Sequence, residues 1–266
     1  MLRGLVTALR TLTILPVPGR DAEGFGSALP FFPLVGALLG AAIWGLVEAC
    51  GQLPDYGWSM GAAAAAVVGG IVLTRGLHLD GLADWADGFG GGRDRESTLR
   101  IMKDPAIGAF GAMALASVLL LKFAAVARLA ASGTALWLVA AATVSRTVQV
   151  DLMVSLPYAR AEGGKAGPFV QGARGWHLAA ALAAVLVILL GIFGPLGAAA
   201  LAAGWLFGRL FGLWCRRRVG GVTGDLLGAG SELVETALLV AAAAAGSQLA
   251  KCSGWEPVRQ LMGSLT

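Results

Sequence analysis

The run His177-Leu-Ala-Ala-Ala-Leu-Ala-Ala-Val-Leu-Val-Ile-Leu-Leu-Gly-Ile-Phe193 decides the fold class. It carries no Asp, Glu, Lys or Arg, and its length is close to the about 20 residues that cross a hydrocarbon layer of about 30 Å. Residues 179–190 show none of the apolar–polar alternation that a membrane β-strand needs. A helix is therefore the remaining way to span a bilayer with every backbone group paired.

Comparable runs lie on both sides of it, at 31–50, 60–77, 108–131, 134–156, 196–214 and 233–250. With 177–193 they predict an all-α fold, a polytopic integral membrane bundle of about seven transmembrane helices in a single domain covering residues 1–266. The composition agrees: 57% of the 266 residues are hydrophobic and 14% charged, against about 25% charged in soluble domains. Mean hydropathy is +0.75. Forty glycines would weaken a soluble helix, but in a bilayer small residues let helices approach closely. Cys50, Cys215 and Cys252 have neither metal-ligand spacing nor an even count, and no role is assigned to them. Arg3 and Arg10 flank a short apolar stretch ending at Leu15-Pro16 with no small-residue cleavage site after it, which reads as an interfacial helix and not a signal peptide.

Orientation follows from Lys and Arg, which short loops retain on the cytoplasmic side. Arg3, Arg10 and Arg20 precede the first span. Arg93, Arg95, Arg100 and Lys103 fall in the second connection, Arg160, Lys165 and Arg174 in the fourth, and Arg216, Arg217 and Arg218 in the sixth. The intervening connections, 51–59, 131–133 and 194–195, have no Lys or Arg. Seven spans put the C-terminal tail, with Lys251 and Arg259, on the outer side. The net charge of +4 is then a topology signal and an attraction to anionic membrane lipid, with no nucleic-acid partner expected.

Polar, glycine-rich sequence collects in the basic connections. The first block reads His78-Leu-Asp80-Gly-Leu-Ala-Asp84-Trp-Ala-Asp87-Gly88. Asp80, Asp84 and Asp87 stand at i, i+4 and i+7, so a helix places the three carboxylates on one face, where they repel. A hard divalent cation such as Mg²⁺, which takes oxygen ligands and keeps sites for substrate phosphates, offsets that repulsion. The alternative is a solvated acidic helix end; against it, these acids continue directly from an apolar span, where carboxylates are expensive. The second block, Pro157-Tyr158-Ala-Arg160-Ala-Glu162-Gly-Gly164-Lys165, sets cations beside flexible backbone, as a phosphate-binding loop or as a plain topogenic loop. The third contains Gly220-Gly-Val-Thr223-Gly224-Asp225 and, seven residues after Asp225 on the same helical face, Glu232. Backbone N–H groups, a hydroxyl and carboxylates close together suit phosphate or metal.

Taken in order, these blocks resemble the cobalamin synthase family, the adenosylcobinamide-GDP ribazoletransferases of the late vitamin B12 pathway. The resemblance rests on Thr13-Ile-Leu-Pro-Val-Pro18, Phe32-Pro-Leu-Val-Gly36, the His78-to-Gly88 block, Ile101-Met-Lys-Asp104 with Ile107-Gly108, Pro157-Tyr-Ala-Arg160 and Gly221-Val-Thr-Gly-Asp225. It implies a Mg²⁺-dependent enzyme of the bacterial cell inner membrane with its active site facing the cytoplasm. The partners implied are adenosylcobinamide-GDP and α-ribazole or its 5′-phosphate, joined into adenosylcobalamin or its phosphate with release of GMP, beside other corrinoid-assembly enzymes. Under this reading Asp80, Asp84, Asp87, Asp104, Asp225 and Glu232 are the candidate metal ligands. Arg93, Lys103, Arg160, Thr223 and Gly224 would bind substrate, and Asp84, Asp87 and His78 are the catalytic candidates. For the general base the choice lies between His78, whose ring would point away from the Asp80 face, and an acid of the cluster.

Two other readings compete. The first block is also similar to the Asp-Gly-x-x-Ala signature of CDP-alcohol phosphotransferases, which continues with Arg where this sequence has Asp84. A transporter would use Lys122, Arg146 and Asp151, which look scattered along the chain.

Overall fold

The computed structural model describes residues 2–52 and 58–246. Lys251, Cys252 and Arg259 lie outside the described residues, as does the stretch 247–250 that ends the last expected span. Among the described residues all regular structure is helical. Helix α1 (Leu2–Leu12) buries Gly4, Thr7, Ala8 and Leu12 on one face. A short 3-10 helix (Phe25–Phe31) leads from it into α2 (Phe32–Gly51). Then come α3 (Ser59–Thr74), α4 (Leu77–Gly91), α5 (Arg95–Ile101), α6 (Ala109–Ala131), α7 (Trp137–Ser155), α8 (Gly167–Gly172), α9 (Gly175–Phe193), α10 (Pro195–Val219) and α11 (Gly224–Ala245).

Each of the seven expected segments contains a helix, α2, α3, α6, α7, α9, α10 and α11, with three adjustments. Among the described residues five helical stretches are long and apolar enough to cross a membrane: the one through α2, then α6, α9, α10 and α11; a sixth arises if α3 and α4 count as one bent span. Helix α7 is too polar to qualify, because it carries Arg146, Gln149 and Asp151. Position solves its problem: every residue from Trp137 to Met153 is buried, so neighbouring helices take the place of lipid around its polar groups. The third adjustment is at α11, which starts at Gly224 instead of 233. The Thr223 hydroxyl accepts from Leu226 N, satisfying a first-turn N–H and starting the helix there. Asp225 and Glu232 therefore lie inside a helix.

Glycine builds the core around α7. On α10, Gly204, Gly208 and Gly212 recur every four residues and receive Val144, Val148 and Leu152 of α7, also four apart. On the opposite side Gly36 and Gly40 of α2 bring that helix onto the α7 backbone, where a Cβ at Gly40 would stand 2.6 Å from Val139 Cα. Such small-x-x-x-small stripes let helices pack by close backbone approach where water does not drive association.

The turn between α3 and α4 positions the site. Arg75 (φ 56°) and Gly76 (φ 63°) both adopt the left-handed conformation, and α4 leaves the direction of α3 by 90°. Consecutive left-handed residues cannot continue a right-handed helix. The N-terminal segment braces this corner: Ile14 N donates to Leu73 O at 2.7 Å, and Arg75 Nη2 donates to Arg10 O at 3.2 Å. The acids of α4 thus lie past the end of α3, on a helix that packs against α11 and α6.

Candidate active site

Three connections that are far apart in sequence are tied together at one end of the bundle. Ala159 N donates to Val222 O at 2.8 Å and Val222 N to Pro157 O at 2.9 Å, a two-bond bridge between the second and third polar blocks. Arg95, from the connection after α4, spans both: its Nε donates to Val219 O at 2.8 Å and its Nη2 to Ala159 O at 2.6 Å. Arg218 donates to Gly92 O, and Lys103 forms an ion pair with Glu162. The positive charges read as topology markers thus also assemble this end of the molecule.

Arg160 and Asp225 meet across the bridge, with Arg160 Nη2 2.8 Å from Asp225 Oδ2. Thr223 donates to the same carboxylate oxygen at 3.3 Å, while its backbone follows the extended geometry that starts α11. Gly224 sits under Ala166, 3.6 Å from that Cβ to where its own would be. Helix α4 lies directly against this corner because Gly81 has no side chain: a Cβ there would come within 2.6 Å of Asp225 O and 2.8 Å of its Cα. Its other side is fixed by aromatic packing, Trp85 standing edge-on to Trp214 at 5.6 Å between ring centroids and packing on Phe211 at 5.9 Å.

The α4 acids differ sharply in their surroundings. Asp80 is exposed and Asp84 half-buried, and neither has a side-chain hydrogen bond or ion pair among the described residues. Burial pushes the Asp84 carboxyl up to about 7, and the neighbouring charges of Asp225 and Asp80 push it the same way. Asp87 is instead fully engaged: Oδ2 accepts from Gly108 N at 2.7 Å and Oδ1 from Gly111 N at 2.8 Å. It closes the N-terminus of α6, where backbone donors need partners and the helix dipole favours an anion.

The remaining candidates are spread out. Asp104 is exposed and its Oδ1 accepts from Ala106 N at 2.9 Å, shaping the turn before α6. Arg93 is exposed at the edge of the same connection. Glu232 lies deeper along α11, paired with Lys122 at 2.5 Å. His78 is buried, 3% exposed, with Nε2 2.9 Å from Gln149 Nε2. Burial, reinforced by the Arg146 charge, pushes its imidazole down to about 3 and keeps it neutral. Among the described residues no three of His, Cys, Asp and Glu converge closely enough to enclose a metal by themselves.

Sequence reading missed two arrangements. Lys122 and Arg146, which looked scattered, are joined through Glu235: Lys122 Nζ is 2.9 Å from Glu235 Oε1 and Arg146 pairs with Glu235 Oε2. With Glu232 they form a neutral buried network between α6, α7 and α11. Asp151 pairs separately with Arg209 at 2.9 Å. The signal was the presence of charges of both signs inside apolar segments, since isolated intramembrane charges need partners. Arg95 and Gln149 carried no signal beyond their residue type.

Comparison with known proteins places this architecture. The model of the cobalamin-5-phosphate synthase family matches residues 4–243. The chain is 51% identical over 247 residues to an adenosylcobinamide-GDP ribazoletransferase of Chlorobium chlorochromatii, covering 91% of this chain and 96% of the other. It is 50% identical over 254 residues to that of Chlorobium phaeovibrioides, covering 92% and 98%. The one from Syntrophobacter fumaroxidans is 45% identical over 245 residues, covering 89% and 91%. No solved structure matches. With nearly the whole chain matched by the family model and by relatives of similar length, this membrane helical protein belongs to the cobalamin-5-phosphate synthase family.

Proposed function

We propose that this protein is a Mg²⁺-dependent adenosylcobinamide-GDP ribazoletransferase, and that its reaction takes place where α4 meets the Arg160–Asp225 pair. Adenosylcobinamide-GDP and α-ribazole, or its 5′-phosphate, combine to give adenosylcobalamin, or its 5′-phosphate, with release of GMP. The relatives' activity supplies the substrates, and one observation carries the location: Asp80 and Asp84, without side-chain partners among the described residues, lie beside Asp225 at the corner where the three polar blocks join. Asp87, Asp104 and Glu232 already have backbone or cationic partners. Asp80 and Asp84 would therefore hold the cation, together with Asp225, whose bonds to Arg160 and Thr223 both use Oδ2; a hard divalent ion with so few protein ligands would keep room for substrate phosphates.

A divalent ion held by these carboxylates would supply charge neutralisation for the leaving GMP during phosphoryl transfer. Arg160, already held by Asp225, presents its planar fork to phosphate oxygens. Lys103 and Arg93, exposed on the neighbouring connection, extend the positive rim toward the diphosphate. Thr223 and Gly224 shape the start of α11 at that rim. The acceptor hydroxyl would lose its proton to a carboxylate of this corner, since His78 is enclosed and faces Gln149. The Lys and Arg of these connections support a cytoplasmic position for this corner at the bacterial inner membrane, where nucleotide substrates are found.

The test is GMP release from purified protein in nanodiscs with adenosylcobinamide-GDP, α-ribazole and Mg²⁺, run beside CDP-activated alcohol donors. GMP formed only with both substrates and Mg²⁺ supports the reading. Turnover of CDP donors alone, or no GMP from folded protein, contradicts it.

A further inference from the structure

We propose that Gln149 is a positioning residue for the reaction, holding the acidic helix α4 in register against α11; the proposal rests on the transferase reading above. Gln149 sits on the enclosed helix α7 and is 3% exposed. Its amide nitrogen is 2.9 Å from His78 Nε2 and donates to Leu227 O at 3.3 Å. His78 precedes Asp80 by two residues, and Leu227 follows Asp225 by two. One side chain thus touches both helices immediately beside the acids they contribute.

The surfaces that Gln149 brackets are smooth. Gly81 of α4 meets the backbone of Asp225, and Gly228 of α11 meets His78, where a Cβ would stand 3.1 Å from His78 Cα. Glycine lets the two backbones touch, but it gives no side-chain interlock to stop one helix sliding along the other. The neighbours of Gln149 on α7 that are packed fully away, Val148 and Val150, are aliphatic and offer no directional contact. The Asp87 bonds hold α4 to α6 and Trp85 holds it to α10; directional bonds from α7 add the register between α4 and α11.

The arrangement is costly for a purely structural one. His78 Nδ1 and Gln149 Oε1 are buried with no partner, and unsatisfied polar atoms of this kind call for an explanation beyond packing. An apolar pair would fill the space without that loss. Buried polar residues fix a unique register at the expense of stability in other helical assemblies. Here the register sets how far Asp80 and Asp84 stand from Asp225 and Arg160, and misplacement of about 1 Å costs up to about 100-fold in rate.

Gln149→Leu in nanodiscs tests this, with Gln149→Met as the second variant should the first fail to fold. The expected result is an unchanged or raised thermal midpoint and an unchanged KM for adenosylcobinamide-GDP. With these go a kcat lowered about tenfold or more, a higher Mg²⁺ concentration for half-maximal rate, and faster amide hydrogen exchange in residues 77–91. Adding His78→Leu should cause no further loss of kcat, because the pair acts as one unit. Wild-type kcat and Mg²⁺ dependence in a folded Gln149 variant, additive losses in the double variant, or failure of both variants to fold would each overturn the proposal. If the wild-type protein releases no GMP, the transferase reading fails, and exchange in residues 77–91 still decides the role of Gln149: unchanged protection in the variant refutes it.

Discussion

Asp84 and Asp87 stand three residues apart on α4, yet the structure gives their carboxylates opposite tasks. Asp87 accepts from two backbone N–H groups at the start of α6, so Asp87→Asn, which exchanges one acceptor oxygen for a donor, should loosen that helix end. A loss of about 1–2 kcal/mol is expected, the scale of a lost helix cap, read as a lower thermal midpoint in nanodiscs. Asp84 has no such partner, and its carboxyl is pushed up to about 7 by burial and then by Asp225 and Asp80. A carboxyl that holds its proton more tightly in the folded state makes folding less favourable as pH rises, between its ordinary value near 4 and about 7. Metal-free protein should accordingly lose thermal stability across that window. Added Mg²⁺ should restore it, most strongly at the upper end, and the Mg²⁺ concentration for half-maximal turnover should climb as pH falls below about 7. A metal-free midpoint independent of pH over this range would contradict the environment assigned to Asp84.

At the scale of elements, the site depends on how closely α4 and α11 approach. Gly81→Ala places a methyl within 2.6 Å of Asp225 O, against backbone that cannot swing aside. Overpacking of this kind costs about 1–3 kcal/mol, and the displaced α4 should lower GMP release more than it lowers the melting temperature. The helices themselves were legible from the chain, because uncharged runs such as 177–193 have one stable form in a bilayer. The pairing of the His78-to-Gly88 block with Asp225 was also legible as chemistry, since acids and glycines recur in both. Two things were not. The bend at Arg75 and Gly76 comes from backbone angles, and nothing in a Thr-Arg-Gly sequence demands a left-handed Arg. The engagement of Asp87 and Glu232 by α6 depends on three-dimensional neighbours, so the spacing i, i+4, i+7 grouped three carboxylates that the fold then separates by partner.

For the molecule as a whole, one polar helix is enclosed by apolar ones and one end is gathered by arginines. Helix α7 brings Arg146 into the neutral network with Lys122, Glu232 and Glu235, which removes the unpaired charges a transport pathway would use. Arg95 and Arg218 draw the basic connections together by binding backbone carbonyls, so positive residues assemble the corner where the reaction is proposed to take place. If the cation and the diphosphate meet at the carboxylates of α4 and α11, Asp84 is indispensable to turnover. The decisive measurement is GMP release by Asp84→Asn, in nanodiscs with adenosylcobinamide-GDP, α-ribazole and saturating Mg²⁺. The variant should insert and melt like the parent, or slightly higher, while turnover falls about 100- to 1,000-fold, a loss of the size seen when a group stabilising transition-state charge is removed. Turnover within a few-fold of the parent would contradict it.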